Sequence, residues 1–171
     1  MSLNKEVALD EVMEIMREKL ESGGTVTFTP NGISMEPMLR DGKDVVVLKK
    51  PGGRLKLFDV PLYRRDNGHY VLHRVIDFGK DGNYIMCGDN QFAKEKGIRD
   101  DQIIAVMTSF VRKGKPYKIN SLRYRTYVNF WYYTRIFRRV YSGGKRRVFK
   151  LFGITPKPKS EKKKKKDEEY Y

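Results

Sequence analysis

The chain is poor in the residues that build metal centres and disulfide frameworks. Its 171 residues include one cysteine, Cys87, and two histidines, His69 and His73. A lone cysteine excludes an intramolecular disulfide framework and any C-x-x-C zinc or iron–sulfur site. Two histidines argue against a His-rich metal centre, and no cofactor is expected. Long apolar runs are missing too. No stretch approaches 18 apolar residues, so an ordinary transmembrane helix is not expected. The opening segment MSLNKEVALDEVMEIMREKL alternates acids with apolar residues and lacks the unbroken apolar centre of a secretory signal. These absences give a cytoplasmic expectation.

Positive charge is abundant but confined. Residues 1–111 carry 16 Lys and Arg against 17 Asp and Glu, a net of −1, whereas residues 112–171 carry 20 against 4, a net of +16. A near-neutral body with a cationic appendage suits a polyanionic partner: a phospholipid surface, nucleic acid or an acidic protein.

Four regions follow from patterning. Residues 1–22 hold an amphipathic helix over 4–21, with Val7, Val12, Ile15, Met16 and Leu20 near 3.6-residue spacing and Gly23-Gly24 as its stop. Residues 23–113 read as a β body. Its strands are expected at 25–29, 44–49, 60–65, 70–78, 83–87 and 103–111, with Asp66-Asn67-Gly68 as a hairpin turn. Residues 114–154 form an aromatic, basic segment with a helix over 121–141. Residues 155–171, with the run Lys162–Lys166, read as a disordered tail.

Three stretches of the β body can carry chemistry. In Gly32-Ile33-Ser34-Met35-Glu36-Pro37 a serine follows a strand in a Gly/Pro turn, where its hydroxyl is accessible and neighbouring amides, around Gly32 and Met35, can receive an oxyanion. His73 lies in a strand beside Val71 and Val75, on an apolar face, and imidazole is the usual general base near neutrality. Asp89, in the turn Cys87-Gly88-Asp89-Asn90, is a carboxylate that can steady an imidazolium. Each residue singly has an ordinary structural explanation: a turn serine, a half-buried strand histidine, a turn aspartate. The combination carries the argument.

Ser34-Met35-Glu36-Pro37, Asp59-Val60, His73-Arg74-Val75 and Gly88-Asp89-Asn90, in that order, resemble the signal peptidase and LexA-type repressor superfamily of serine proteases. The resemblance covers roughly residues 24–111. It implies an antiparallel β catalytic fold, here with an N-terminal helix and a C-terminal basic aromatic helix. It also implies a Ser–His mechanism carried by Ser34 and His73, with Asp89 assisting. A lysine serves as base in the bacterial enzymes and the repressors; His73 in that place is the archaeal and endoplasmic-reticulum pattern. Two departures stand out. Gly32 replaces the second serine that often precedes the nucleophile, and the acid often found about six residues beyond Gly-Asp-Asn is met here by Glu95. Asp89 and Glu95 thus both remain candidates for the third group.

The aromatic segment suggests a partner. Tyr124, Tyr127, Val128, Trp131, Tyr132, Ile136 and Val140 can form one apolar stripe bordered by arginines, as interfacial helices do. Trp131, Tyr132, Arg135, Arg138 and Arg139 are the candidate membrane contacts. The competing arrangement packs the same aromatics on the β body; nucleic acid ranks third, with no recognised motif beside the aromatics. The expected protein is a signal-peptidase-like serine endopeptidase cutting a peptide or protein substrate at an anionic membrane surface, peripherally attached. The alternatives are a catalytically weak or inactive protease-fold module binding anionic lipid or nucleic acid, and self-cleavage. Oligomeric state is left open.

Overall fold

The computed structural model describes residues 3–135, 137, 138 and 140, with side chains from residue 11 onward. The fold is mostly β, two antiparallel sheets with two helices. The chain divides into two compact units, Met1–Trp131 and Tyr132–Tyr171. The predicted tail 155–171, and Arg139, lie outside the described residues.

Helix α1 (Leu3–Glu21) ends where Gly23 and Gly24 donate their amides back to the Leu20 and Lys19 carbonyls. Strands β1 (Thr25–Phe28), β2 (Val45–Lys49), β3 (Pro61–Arg64), β4 (Tyr70–Leu72), β8 (Ile103–Arg112) and β9 (Lys115–Lys118) form the larger sheet. Its order is β1-β2-β8-β3-β4, with β9 also on β8. Strands β5 (Arg74–Phe78), β6 (Tyr84–Cys87) and β7 (Glu95–Ile98) form the smaller one. Alternation explains the main core: Val46 and Leu48 of β2, Ala105 and Met107 of β8 and Leu62 of β3 are buried together with Met13 and Leu20 of α1. Each such large side chain contributes about 1.5–3 kcal/mol of apolar burial. A second core packs Val75, Tyr84, Met86 and Ile98 of the smaller sheet with Tyr63 of β3 in the larger one.

Two corrections to the sequence reading matter for function. The single strand expected over 70–78 is broken at His73: β4 ends at Leu72 in one sheet and β5 begins at Arg74 in the other. His73 therefore sits at the crossing between sheets, where an unpaired residue can turn its ring away from either ladder. In addition, β7 and β9 were not expected, because Glu-Lys-Gly-Ile and Lys-Pro-Tyr-Lys lack apolar alternation and are held by tertiary pairing.

Helix α2 (Leu122–Tyr133) settles the face of the aromatic stripe. Tyr124 and Val128 are buried in the main core, and Tyr127 packs partly against it. The face expected at a membrane is thus largely an inner face in the first unit. The opposite face exposes Leu122 (79%) and Phe130 (65%), residues eight apart that share one side of a helix; in the second unit Tyr133 is exposed as well. Tyr132, in the second unit, meets the Tyr133 ring edge-on, and Arg135 and Arg138 are half-buried. Among the described residues no helix is long and apolar enough to cross a membrane.

Candidate active site

The Ser34 turn is built from both ends. Asp41 accepts the Gly32 amide at 2.7 Å, and the Gly42 amide reaches the Pro30 carbonyl at 3.1 Å. Gly32 has φ +106°, in the region that favours glycine. Its amide is engaged by Asp41, so Gly32 serves the turn and not an oxyanion. Met35, Met38 and Leu39 then drop into the main core and leave Ser34 half-buried between them and solvent. The amides of Ser34 and Met35 carry no internal hydrogen bond among the described residues, so neither is committed to the turn.

The Gly88-Asp89-Asn90 turn braces this loop from below. Asn90 donates its amide to the Ser34 carbonyl at 2.8 Å and its side-chain Nδ2 to the Ile33 carbonyl at 3.0 Å. Gly88 passes so close that a Cβ there would lie 2.6 Å from the Ser34 carbonyl oxygen. Only glycine fits.

Asp89 is committed elsewhere. Both its oxygens accept from the guanidinium of Arg74, at 2.8 and 2.7 Å, in a fork-on-fork pair buried on both sides. Arg74 further donates to the Phe58 carbonyl (3.0 Å) and the Tyr124 hydroxyl (2.9 Å), and its Nη2 lies 3.0 Å from Met38 Sδ. Burial alone would lower the Arg74 pKa; Asp89 and Tyr124 outweigh it and raise it. One cation thus ties the Ser34 loop, the Asp89 turn and α2 together. Trp131 adds its indole N–H to the Asp89 carbonyl at 2.9 Å, so its ring is a half-buried part of the body.

Ser34 and His73 line one open pocket of about 250 Å³, with Gly32 and Met35 beside them. Their side chains are not hydrogen-bonded to each other; such contacts commonly tighten only with substrate bound. Pro30 and Asn31, following edge strand β1, and Tyr70–Leu72 of the other edge strand, β4, line the same pocket. His73 is only 5% exposed.

The carboxylate that addresses His73 is Glu95. Its Oε2 is 3.9 Å from His73 Nδ1 and accepts the Tyr63 hydroxyl at 2.8 Å, while the Tyr63 oxygen lies 3.3 Å from Nδ1. An ionised carboxylate only accepts, so the Tyr63 proton points to Glu95 and the phenolic oxygen accepts from Nδ1–H. That assigns the neutral imidazole its proton on Nδ1 and leaves Nε2 as the basic nitrogen. Arg65 clamps both Glu95 oxygens. Burial would raise the Glu95 pKa, but Arg65 and Tyr63 prevail and lower it; burial and Glu95 together raise that of Tyr63. For His73, burial is the leading cause and Arg65 adds to it; against Glu95 and Asp89 they bring the pKa down to about 4. At neutral pH the ring is uncharged and ready to accept a proton.

Of the residues singled out from sequence, the structure brings Gly32, Ser34, Met35 and His73 to one pocket and puts Asp89 on Arg74. Sequence reasoning missed Tyr63, Arg65 and Arg74 as members of the site. Arg74 lay inside the matched block His73-Arg74-Val75, and a buried arginine demands an acid. Tyr63 gave no local signal. Among the described residues no group of three or more His, Cys, Asp or Glu is placed to hold a metal ion. No protein-family model, curated protein or solved structure matches the chain.

Proposed function

We propose that the protein is a serine endopeptidase related to the signal peptidase and LexA-type superfamily. Ser34 Oγ attacks the scissile carbonyl and His73 Nε2 takes its proton, later returning it to the leaving amine. The Ser34 and Met35 amides receive the oxyanion. Glu95, acting through Tyr63, holds the imidazole tautomer and offsets the imidazolium charge. The observation that carries this reading is a buried histidine and a braced turn serine on one pocket flanked by sheet edges. Edge strand β1 and its extension suit an extended peptide added as a further strand. The basic C-terminal region, with the exposed Leu122, Phe130 and Tyr133 on α2, suits peripheral attachment to an anionic membrane, where aromatic rings sit at headgroup depth.

The test is the pH dependence of kcat/KM on a peptide library. A solvated histidine would lose activity below pH 6–7, whereas burial moves the free-enzyme midpoint to about 4. Stability follows the same sign. The folded pKa lies below the unfolded value of about 6.5, so His73 costs nothing above that pH. Its share of stability is lost as pH falls from there towards 4, by roughly 3 kcal/mol. A plateau down to pH 5 with an acid limb near 4, measured on protein shown folded by circular dichroism, is the expected profile. Activity rising only above pH 9 would point to a lysine base and overturn it.

A further inference from the structure

A second cleft, of about 240 Å³, opens between β8, β9 and α2. Its walls are aromatic (Phe110, Tyr117, Tyr124 and Tyr127) and its two charged residues, Arg112 and Arg123, are both cationic. Neither arginine has a carboxylate within ion-pair distance among the described residues. Arg123 lies over the Tyr117 ring at 5.4 Å, and that ring stacks on Phe110 at 5.1 Å. Arg112 uses one nitrogen, Nη1, on the carbonyls of Pro37 and Met38, which leaves its other N–H groups uncommitted. The Tyr127 hydroxyl is buried without any hydrogen-bond partner, an expensive state for a polar group. Burial raises its pKa, so it stays a donor.

Two guanidinium groups with no carboxylate within ion-pair distance, Arg112 acting on the buried Asp44 only from farther off, and an unsatisfied hydroxyl at one aromatic-walled cleft present donors to a tetrahedral oxyanion and apolar faces to whatever it is esterified to. The cleft holds the volume of several waters, at about 30 Å³ each, which is more than a lone phosphate needs. We infer that this cleft binds a phosphate ester, held by Arg112, Arg123 and Tyr127, with its organic part against the aromatic walls. The source is an anionic phospholipid headgroup or a free phosphate ester. The inference shares with the proposed function only the expectation of an anionic lipid partner. It does not depend on Ser34 chemistry, since its readout is binding.

The chain carries its own reporter. Trp131 is the sole tryptophan, and its ring stacks on Tyr127 at 6.0 Å and 15°. The full chain is titrated with dihexanoyl phosphatidylglycerol below its micelle-forming concentration and, separately, with glycerol phosphate, following tryptophan fluorescence. A saturable change is expected, weakened about tenfold or more in Arg123→Gln and about three- to tenfold in Tyr127→Phe. Arg125→Gln, an exposed arginine on the same helix that does not line the cleft, is expected to change affinity less than about twofold. Equal responses to both ligands identify the phosphate ester itself as the ligand; a response to the lipid alone identifies the headgroup with its chains. No saturable response to either ligand at millimolar concentration overturns the inference. So does an Arg125→Gln loss equal to that of Arg123→Gln.

Discussion

Ser34→Ala is expected to lower peptide turnover by about 10⁴-fold or more while leaving the folded structure in place. The magnitude follows from the nucleophile's role proposed for Ser34: without the attacking atom that mechanism has no covalent step and only oxyanion and binding contributions remain. The fold should tolerate it because the Ser34 hydroxyl makes no hydrogen bond among the described residues. The loop is held instead by the Asn90 amide and side chain, donating to the Ser34 and Ile33 carbonyls, and by Met35, Met38 and Leu39 in the core. Stability should change by about 0.5 kcal/mol or less. His73→Ala should match it in activity. Turnover retained in Ser34→Ala, measured on protein freed of contaminating peptidases, would remove the assignment.

Asp89 and Tyr63 should respond in opposite ways. Asp89→Ala strips the carboxylate from Arg74, which is 3% exposed, and leaves a buried cation short of its partner. Breaking such a pair costs about 3–5 kcal/mol, so the melting temperature should fall by on the order of 10 °C. The damage reaches activity through the Ser34 loop and α2, both tied to the same guanidinium. Tyr63→Phe removes one oxygen and keeps the ring and the Arg65–Glu95 pair. It should lower kcat about tenfold with KM nearly unchanged, as a positioning role requires, and lower the melting temperature by only about a few degrees, because the buried Nδ1–H loses its acceptor. If Asp89→Ala melted like the wild type and lost only kcat, the aspartate would be the partner of His73 after all.

The elements that were legible in the sequence are an amphipathic helix and short β-branched or aromatic runs bounded by turn residues. Helix α1 and strands β1, β2, β3, β6 and β8 fall within a few residues of expectation; burial alternates in β1 and β2, whereas β3 and β6 are buried on both faces, and α1 turns Met13 and Leu20 inward while Val12 and Ile15, expected on the apolar face, are exposed. The break at His73 was not legible. Tyr-Val-Leu-His-Arg-Val-Ile-Asp-Phe alternates well enough for one strand, and only the tertiary arrangement of two sheets divides it. The inner face of α2 was visible as a stripe, but periodicity cannot say whether a stripe meets protein or lipid. Tyr124 decides it here, through a hydrogen bond to Arg74 that lies 50 residues away in sequence. In the site, Ser34 and His73 were legible as residue types in a suitable order. Which acid faces the imidazole was not, because Asp89 and Glu95 differ only in what else they touch: Arg74 for one, Tyr63 and Arg65 for the other.

Reaction of the intact protein with a serine-directed fluorophosphonate, followed by peptide mass spectrometry, bears most directly on the paired roles of the hydroxyl and the imidazole. One adduct on Ser34 is expected at neutral pH, forming at least about a thousandfold more slowly in His73→Ala. A protein shown to be folded that takes no adduct, or takes it at Ser34 equally fast without His73, would contradict the account.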